Sequence, residues 1–342
     1  MDFVKKIREL GEYKAGESYY HVALTGTQNY IPWISVTMAS IMEHNSSPFA
    51  FHILVDKTDE ADIEKLQKFS IQWNVPITLY YMNDANLSQY CRFERYRING
   101  KYVAALMYRF FIPELLKDKA ERALYLDGDV VCNGDVVCNG DITSFMDIDL
   151  QQNIVAVSED LKGQEYAARM NVERYFNSGV ILVDIQQWLS NHISKRILDD
   201  LRIAAQKHPE MSCPDQDILN VCLDGKDFFV PHTYNLPYRL VQPSVFKPKI
   251  VNEDAMQASL IHFIGAIKPW TTYNQSVPIV KVWAHAKENS PWRDVPIHEP
   301  GSQKAFHQAA RDARRRHAYK EMVLWYFRFI KSKFDGTRKV GY

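Results

Sequence analysis

The sequence contains no apolar run that approaches the ~20 residues needed to span a bilayer. Its opening segment, MDFVKKIRELGEYKAGESYY, also lacks the apolar core of a secretion signal. From these two absences we expect a protein that is made and kept in the cytoplasm.

Cysteine is scarce, with five thiols in 342 residues. An odd number without a secretion signal indicates reduced thiols and not a disulfide framework. Cys132 and Cys138 are separated by five residues, which matches no common zinc-binding spacing. We therefore assign these two cysteines neither to a disulfide nor to a zinc site.

Net charge is zero, but the charge is unevenly distributed along the chain. From Gly301 to the C-terminus there are eleven basic and three acidic residues, a net charge of +8. The preceding 300 residues therefore carry a net charge of −8. We interpret the C-terminal part as an electrostatically separate segment.

Strand and helix patterns alternate through the first half of the chain. Short apolar strands are predicted at residues 21–25, 51–56, 76–82 and 122–127. A helix is predicted after the first strand, another from near Asp59, and a third over residues 101–116. This alternation indicates a parallel sheet covered by helices on both faces. Residues 1–20 are polar with scattered apolar positions, which predicts a short helix outside the core.

Asp127 and Asp129 stand two positions apart at the end of the strand predicted at 122–127. In extended backbone, side chains i and i+2 project to the same side, so both carboxylates can reach one cation. Mg²⁺ and Mn²⁺ prefer oxygen ligands, often carboxylates together with substrate phosphates. A polar turn explains the same residues without any ligand, because Asp and Gly favour turns.

The six residues Gly128–Asn133 are repeated without change at Gly134–Asn139. Only the first copy follows the apolar strand and contains Asp-Gly-Asp, since the second begins Asn133-Gly134-Asp135. We interpret the second copy as a tandem duplication. We predict a bulge or excursion within residues 130–141, close enough to the Asp pair to reduce activity.

Two basic side chains follow the apolar segment at residues 259–261. An imidazole at His262 can complete the coordination of a cation, and Lys268 can neutralise a phosphate. A packed core histidine and a solvated lysine are the alternatives. Ligands of open α/β sheets bind beyond the carboxyl ends of the strands, so the Asp pair, the SED segment at 158–160 and this segment can converge on one site.

Four further polar residues stand at the ends of predicted elements. Asn177 and Ser178 directly precede a buried strand, where polar side chains can face a cleft. Asp215 and Gln216 stand where a helix begins, so either can be only an N-cap.

Taken together, six segments resemble glycosyltransferase family 8 in order and spacing, over about residues 20–275: HVALTGTQNY, ALMYRFFIPELL, ALYLDGDVV, FNSGVILVD, PDQDILN and HFIGAIKPW. The resemblance implies a GT-A fold, an α/β fold with a mainly parallel central sheet flanked by helices, followed here by a mostly helical extension. It also implies a UDP-hexose donor, Mg²⁺ or Mn²⁺, and retention of the anomeric configuration. The C-terminal part is similar to the extension of the lipopolysaccharide-core hexosyltransferases.

The resemblance also implies roles for individual residues. Those implied as metal ligands are Asp127, Asp129 and His262. Those implied in donor binding, besides the two Asp, are Thr25, Thr27, Asn29, Arg109, Asn177, Ser178, Gly265 and Lys268. Asp215 would hydrogen-bond sugar hydroxyls, Gln216 would lie near the anomeric carbon, and Asp160 would lie near donor and acceptor.

Thr27 departs from the family pattern, because it replaces the usual acidic residue of the uracil pocket. A hydroxyl accepts hydrogen bonds more weakly than a carboxylate, so uridine selectivity is less strongly implied than the metal site. Gln216 is an amide and a poor nucleophile, which favours a front-face route over a covalent intermediate.

The resemblance and the charge distribution together divide the chain into an N-terminal extension at 1–20, a GT-A catalytic domain at 21–275 and a basic, aromatic helical extension at 276–342. In that extension, one predicted helical face comprises Tyr319, Met322, Val323, Tyr326 and Ile330. A basic amphipathic helix of this kind is typical of a membrane-surface element. A helix packed on the core with a solvated basic face is the alternative. Nucleic acid is not expected as a partner, since no recognition motif accompanies the charge.

We therefore predict a peripheral enzyme on the cytoplasmic face of the inner membrane, which moves glucose or galactose from UDP-hexose to the lipopolysaccharide core with an α-glycosidic bond. One alternative is a transferase that builds another glycan, such as a capsule or a protein-linked sugar. Another is a nucleotide-sugar or metal-binding homologue whose activity is impaired by the duplication at 134–139.

Overall fold

The structure is a computed structural model and describes residues 3–90, 92–93, 97–98, 101–133, 141–208, 210–211, 213–240 and 256–334. Its strands are β1 Val4–Leu10, β2 Tyr20–Gly26, β3 Phe49–Val55, β4 Ile77–Met82, β5 Arg97–Ile98, β6 Lys101–Tyr102, β7 Arg122–Leu126, β8 Val130–Cys132, β9 Val155–Glu159, β10 Phe176–Asp184, β11 Asp227–Phe229, β12 Leu236–Tyr238 and β13 Leu260–Phe263. Its α-helices are α1 Ile31–His44, α2 Glu60–Trp73, α3 Asp84–Leu87, α4 Ile112–Leu116, α5 Thr143–Met146, α6 Gly163–Met170, α7 Ile185–Ser190, α8 Ile193–Lys207, α9 Pro214–Leu223, α10 Pro278–Glu288, α11 Gln303–Arg315 and α12 Tyr319–Phe334. Short 3₁₀ helices span Gln28–Tyr30, Ser88–Tyr90, Ala105–Phe111 and His232–Tyr234.

The main sheet has eight strands in the order β1-β4-β3-β2-β7-β10-β9-β11. The pairs β4–β3, β3–β2, β2–β7 and β9–β11 are parallel, and β1–β4, β7–β10 and β10–β9 are antiparallel. A smaller sheet has the order β12-β13-β8. The α/β fold with a flanked, mainly parallel sheet is confirmed, with the antiparallel pairs near its two ends.

Two sequence predictions are wrong in local structure. Residues 4–10 form β1, which pairs with β4, and not a helix outside the core. The polar side chains that hid this strand suit an edge position, where charge discourages pairing with other chains. Residues 101–116 form β6, a 3₁₀ helix and α4 instead of one helix, and the segment from Met107 to Pro113 is buried.

The other helix starts and strands predicted above agree with those in the structure. α2 begins directly after Asp59, whose side chain accepts a hydrogen bond from the Asp62 amide while Asp62 reaches back to the Asp59 amide. This capping box satisfies two of the amide groups that a helix N-terminus leaves without partners. The cap therefore explains why this boundary was readable from the sequence.

The first copy of the repeat is ordered by pairing with a distant strand. β8 lies antiparallel to β13, with Val130 opposite His262. Asn133, which is buried, donates to the carbonyl oxygen of Met256 at 3.0 Å. Residues 134–140, with the second copy, lie outside the described residues, so the predicted bulge stays a prediction.

The C-terminal extension begins as an integral layer of the fold. Trp283 of α10 is buried and lies 5.9 Å, between ring centroids, from Trp33 of α1 and 6.1 Å from Trp270. The amide of His298 donates to the carbonyl oxygen of Trp270 at 2.8 Å, and Thr272 returns a bond to His298. The extension therefore supports the segment that carries Lys268.

α11 and α12 pack against each other as the last helical pair. Phe306 stacks on Trp325, and His307 stacks on Phe329 at 4.8 Å between ring centroids. The predicted exposed face needs correction, because Met322 and Tyr326 are half-buried. The apolar residues of α12 that lie outward are Tyr319, Val323, Leu324, Phe327 and Ile330. α12 carries apolar residues on several sides, and its contact with α11 determines which of these sides is buried.

Within the described residues, no helix combines the length and the apolar character that crossing a bilayer requires.

Candidate active site

Asp127 and Asp129 leave the end of β7 on a tight turn beside β10. The Asp127 amide donates to the carbonyl oxygen of Gly179 at 2.8 Å, and the Val130 amide donates to the carbonyl oxygen of Asp127 at 3.1 Å. Asp129 is 7% exposed. The turn thus directs one half-buried and one buried carboxylate to the same side.

β13 brings His262 to these carboxylates. Nε2 of His262 lies 3.2 Å from Asp129 Oδ1 and 3.6 Å from Asp127 Oδ2. One ligand atom from each of the three residues lies within 4.8 Å of the others. A Cβ at Gly179 would lie 2.1 Å from Cε1 of His262, so the imidazole fits only because that position is glycine.

Asn177 determines which nitrogen of His262 faces the carboxylates. Its Oδ1 accepts bonds from the Gly179 amide and from Asn235 Nδ2, both at 3.1 Å, so the oxygen is an acceptor. His262 Nδ1 lies 3.0 Å from this oxygen and must donate its proton to it. In the neutral ring Nε2 then carries a lone pair directed at two carboxylates. Asp127, Asp129 and His262 thus present three ligand atoms to one point, an arrangement that suits a divalent cation.

Lys268 supplies positive charge on the other side of Asp129. Its Nζ donates to Asp129 Oδ2 and, at 2.8 Å, to the carbonyl oxygen of Phe263. Burial alone would raise the pKa of Asp129, but Lys268 and His262 lower it below its usual range. Asp129 Oδ1 is buried and accepts no hydrogen bond from the described residues. A buried, ionised oxygen of this kind suits a hard divalent cation.

Arg109 joins three parts of the site from the 3₁₀ helix Ala105–Phe111. Its Nη2 lies 3.2 Å from Asp127 Oδ1 and 3.7 Å from Asp215 Oδ2. Its Nη1 donates to the carbonyl oxygen of Ser178 at 3.0 Å. The guanidinium carbon lies 4.8 Å from the ring centroid of Tyr125, whose hydroxyl donates to Asp127. The residue is buried, so its charge is directed inward.

Gln216 is held by hydrogen bonds on both ends of its carboxamide. Oε1 accepts from the Ser178 amide at 3.0 Å and from Ser178 Oγ at 3.2 Å. Nε2 faces Asp160 Oδ2 at 3.4 Å and the Tyr175 hydroxyl at 3.3 Å. The N-cap of α9 is Cys213, so the alternative that Asp215 or Gln216 is only a cap is wrong. Both side chains point to the site instead.

The predicted uridine contacts lie at the margin of this group. Thr25 is buried, with Oγ1 3.3 Å from the Tyr125 hydroxyl. Thr27 precedes the 3₁₀ helix Gln28–Tyr30, and Asn29 is exposed within it. Gly265 adopts φ +89°, a left-handed conformation that glycine tolerates, on the segment between His262 and Lys268. No described hydrogen bond joins Thr27 or Asn29 to the acidic residues.

Sequence reasoning missed four residues that support the site: Tyr125, Tyr175, Asp217 and Asn235. Tyr125 stands two positions before Asp127, so the alternation of a strand already places both on one side. Tyr175 and Asp217 show no local pattern that distinguishes them from core residues. Asn235 lies in an irregular segment, and only the tertiary structure brings it to Asn177.

Most of the chain matches the models of one known protein family. Residues 21–274 match the model of glycosyl transferase family 8, and residues 278–333 match the model of its C-terminal region. The chain is 29% identical over 286 residues to a lipopolysaccharide 1,2-glucosyltransferase of Escherichia coli (strain K12), covering 80% of this chain and 79% of that protein. It is 26% identical over 327 residues to a lipopolysaccharide 1,3-galactosyltransferase of Salmonella typhimurium, covering 92% and 91%.

Solved structures agree on the fold. The galactosyltransferase LgtC in complex with donor and acceptor sugar analogues superposes with a TM-score of 0.62 at 20% identity, covering 80% of this chain and 99% of LgtC. The bifunctional glycosyltransferase WbbM superposes with a TM-score of 0.62 at 18% identity, covering 83% of this chain and 52% of WbbM. Both have the GT-A fold. This chain belongs to glycosyl transferase family 8 and is a glycosyltransferase with that fold.

Proposed function

We propose that the enzyme transfers a hexose, glucose or galactose, from UDP-hexose to the core oligosaccharide of lipopolysaccharide, with retention of configuration. The observation that carries this proposal is the convergence of Asp127, Asp129 and His262 beside the cations of Lys268 and Arg109. The activities by which the bacterial relatives are named supply the sugar and acceptor classes.

Asp127, Asp129 and His262 would hold one divalent ion, Mg²⁺ or Mn²⁺, which supplies positive charge to the diphosphate when bound. Lys268 lies at the same edge and would share its ammonium group between Asp129 and a phosphate oxygen. Gly265 has no side chain, so a phosphate would be able to approach the backbone closely at that position. The bound cation and Lys268 would stabilise the transition state, because negative charge grows on the leaving diphosphate.

Arg109 and Asp215 would bind the hexose from the side of β10. The guanidinium already orients the Asp127 and Asp215 carboxylates, and Asp215 would hydrogen-bond sugar hydroxyls. Asn177 lies between Asp160 and His262, so it would act through these residues as much as through the sugar.

The contacts of Gln216 favour a front-face route over a covalent intermediate. The amide oxygen of Gln216 already accepts two bonds from Ser178, so a nucleophilic attack by this group has no support. We infer that the bond between the anomeric carbon and the diphosphate oxygen breaks while the bond to the acceptor oxygen forms on the same face. The acceptor proton passes to the departing diphosphate, and the new bond is an α-glycosidic bond.

We also propose that α12 holds the enzyme on the cytoplasmic face of the inner membrane, where this acceptor is found. Tyr319, Val323, Phe327 and Ile330 are more than half exposed and follow one side of the helix. Lys320, Arg328 and Lys331 are exposed on the same helix and would face anionic lipid. Arg315 and Arg316 contribute less, because both already pair with Asp312.

One experiment tests the proposed reaction. The purified enzyme is offered a panel of UDP-sugars, with Mn²⁺ or Mg²⁺, and truncated lipopolysaccharide cores, and the linkage of the product is determined. We expect transfer from UDP-glucose or UDP-galactose that stops on chelation of the metal. Transfer only to a different glycan would support the capsule or protein-linked alternative. If the protein binds UDP-hexose but neither transfers nor hydrolyses it, the alternative of a homologue with impaired activity would be supported.

A further inference from the structure

The carboxamide of Gln216 has one orientation that satisfies its neighbours. With Oε1 on the Ser178 amide, Nε2 faces the Asp160 carboxylate and the Tyr175 hydroxyl. A rotation by 180° would place an NH₂ group against the amide donor of Ser178 and an oxygen against the carboxylate. Ser178 and Asp160 therefore favour the observed orientation, but the bond to Asp160 is long, at 3.4 Å.

Tyr175 strengthens this orientation from beneath the site. The side chain is fully buried, and its hydroxyl donates to Asp217 Oδ1 at 2.6 Å. Since its only proton is used there, the hydroxyl presents a lone pair to Nε2 of Gln216 at 3.3 Å. Burial, together with Asp217, holds the pKa of Tyr175 far above its usual value, so the hydroxyl keeps its proton.

Asp217 is in turn held by a cation. It is 2% exposed, and Oδ1 also accepts from Arg169 Nη2 at 2.5 Å. The chain of contacts runs from Arg169 through Asp217 and Tyr175 to Gln216. A buried hydrogen-bond network of this kind orients its last member more firmly than a single bond would.

We propose that Tyr175, oriented by Asp217, is a positioning residue for Gln216 and keeps its amide nitrogen directed at Asp160. This inference rests on the proposed function, in which Gln216 lies near the anomeric carbon. Tyr175 does not reach substrate, and it acts on turnover through the angle at which Gln216 meets the sugar. Its loss should therefore lower kcat and leave the KM for UDP-hexose nearly unchanged.

A double-mutant cycle on kcat separates this role from an effect of Tyr175 that does not act through Gln216. Tyr175→Phe keeps the ring that packs on Tyr166 at 5.2 Å between centroids and removes only the hydroxyl. We expect kcat to fall by about tenfold, the usual effect of losing one orienting hydrogen bond. In a Gln216→Ala background the same substitution should have no further effect on kcat. Tyr166→Phe, which removes a hydroxyl from the partner ring, is the matched control and should retain kcat.

The outcomes distinguish the inference from the function on which it rests. If Gln216→Ala lowers kcat and Tyr175→Phe does not, the positioning role is wrong and the proposed function stands. If Tyr175→Phe lowers kcat equally in both backgrounds, the residue acts independently of Gln216 and the inference is again wrong. If Gln216→Ala retains near-normal kcat, the role of Gln216 itself fails, and the positioning role with it. Absence of transfer by the unmodified enzyme would overturn the proposed function.

Discussion

Asn177 Oδ1 accepts the Nδ1 proton of His262 at 3.0 Å and thereby leaves Nε2 of His262 to the acidic pair. The Gly179 and Asn235 donors fix the orientation of the asparagine amide, so the tautomer of His262 follows from the hydrogen-bond network. Partners of metal-bound histidines commonly orient the ring in this way. Asn177 should therefore affect metal affinity without being a ligand.

Replacing Asn177 by Ala should weaken Mn²⁺ binding by about 10–100-fold, the range found when such a partner of a metal-bound histidine is removed. Isothermal titration with Mn²⁺ measures this directly, without any turnover. Asn177→Asp keeps an acceptor oxygen for His262 and should lose less affinity. Equal affinity of Asn177→Ala and the unmodified enzyme would show that another group orients His262.

Replacing Asp129 by Asn should abolish metal-dependent hydrolysis of UDP-hexose, with a loss of about 100-fold or more. The substitution removes one ligand charge and leaves the Lys268 ammonium without its carboxylate partner. Asp135→Asn is the matched control, because Asp135 has the same place in the second copy of GDVVCN. Comparable losses in both variants would mean that the second copy also contributes to the site.

Deleting Gly134–Asn139 should leave turnover equal or higher. β8 and Asn133, which pair with β13 and contact Met256, belong to the first copy and are kept. The deletion restores YLDGDVVCNGDITSF, the spacing with a single copy. The rate of metal-dependent UDP-hexose hydrolysis is the measurement. A loss of that activity would make the repeat a functional element instead of a tandem duplication.

Acid should destabilise the fold through a buried histidine pair. His21 Nδ1 lies 2.9 Å from His52 Nε2, and burial lowers the pKa of His21 to about 4 and that of His52 well below its usual value. In the unfolded chain both rings bind protons below about pH 6.5. The free energy of unfolding should therefore be highest above pH 6.5 and fall as the pH decreases towards 4, with His21 contributing on the order of 3 kcal/mol.

Denaturant unfolding at a series of pH values measures this slope. His21→Asn should be less sensitive between pH 6.5 and 4, because one of the two neutral rings is gone. His232→Asn is the control, since His232 is exposed, and it should keep the slope of the unmodified protein. If the unfolding free energy of His21→Asn depends on pH as that of the unmodified protein does, the acid sensitivity arises from groups other than His21.

Replacing Phe327 and Ile330 of α12 by Ser should reduce co-sedimentation with anionic vesicles. Both side chains are more than half exposed, so the folded core should be little affected. Ile71→Ser removes a side chain that is 71% exposed on α2 and serves as the control for general surface hydrophobicity. High salt should also weaken binding, because the basic residues act through screened charge. A chain truncated after Pro300 that still binds as well as the full chain would contradict the role of α12.

The sequence by itself determined the α/β class and the family, and it identified the acidic and histidine residues that meet at the candidate site. Period-two and 3.6-residue patterns report burial along one element, so β2, β3, β4 and the start of α2 were readable locally. The predicted residues Asp127, Asp129 and His262 could be named because each belongs to a short motif of the family.

Only the tertiary structure decided how these residues are connected. β1 became an edge strand because β4 offers unpaired backbone groups, and this is invisible in its polar sequence. The roles of Asn177, Tyr175 and Asp217 depend on hydrogen bonds between elements far apart in the chain. The outward face of α12 likewise follows from the position of α11. Local sequence patterns indicate which residues of an element are buried. The hydrogen-bond partners and packing faces are determined by the elements that meet in the folded protein.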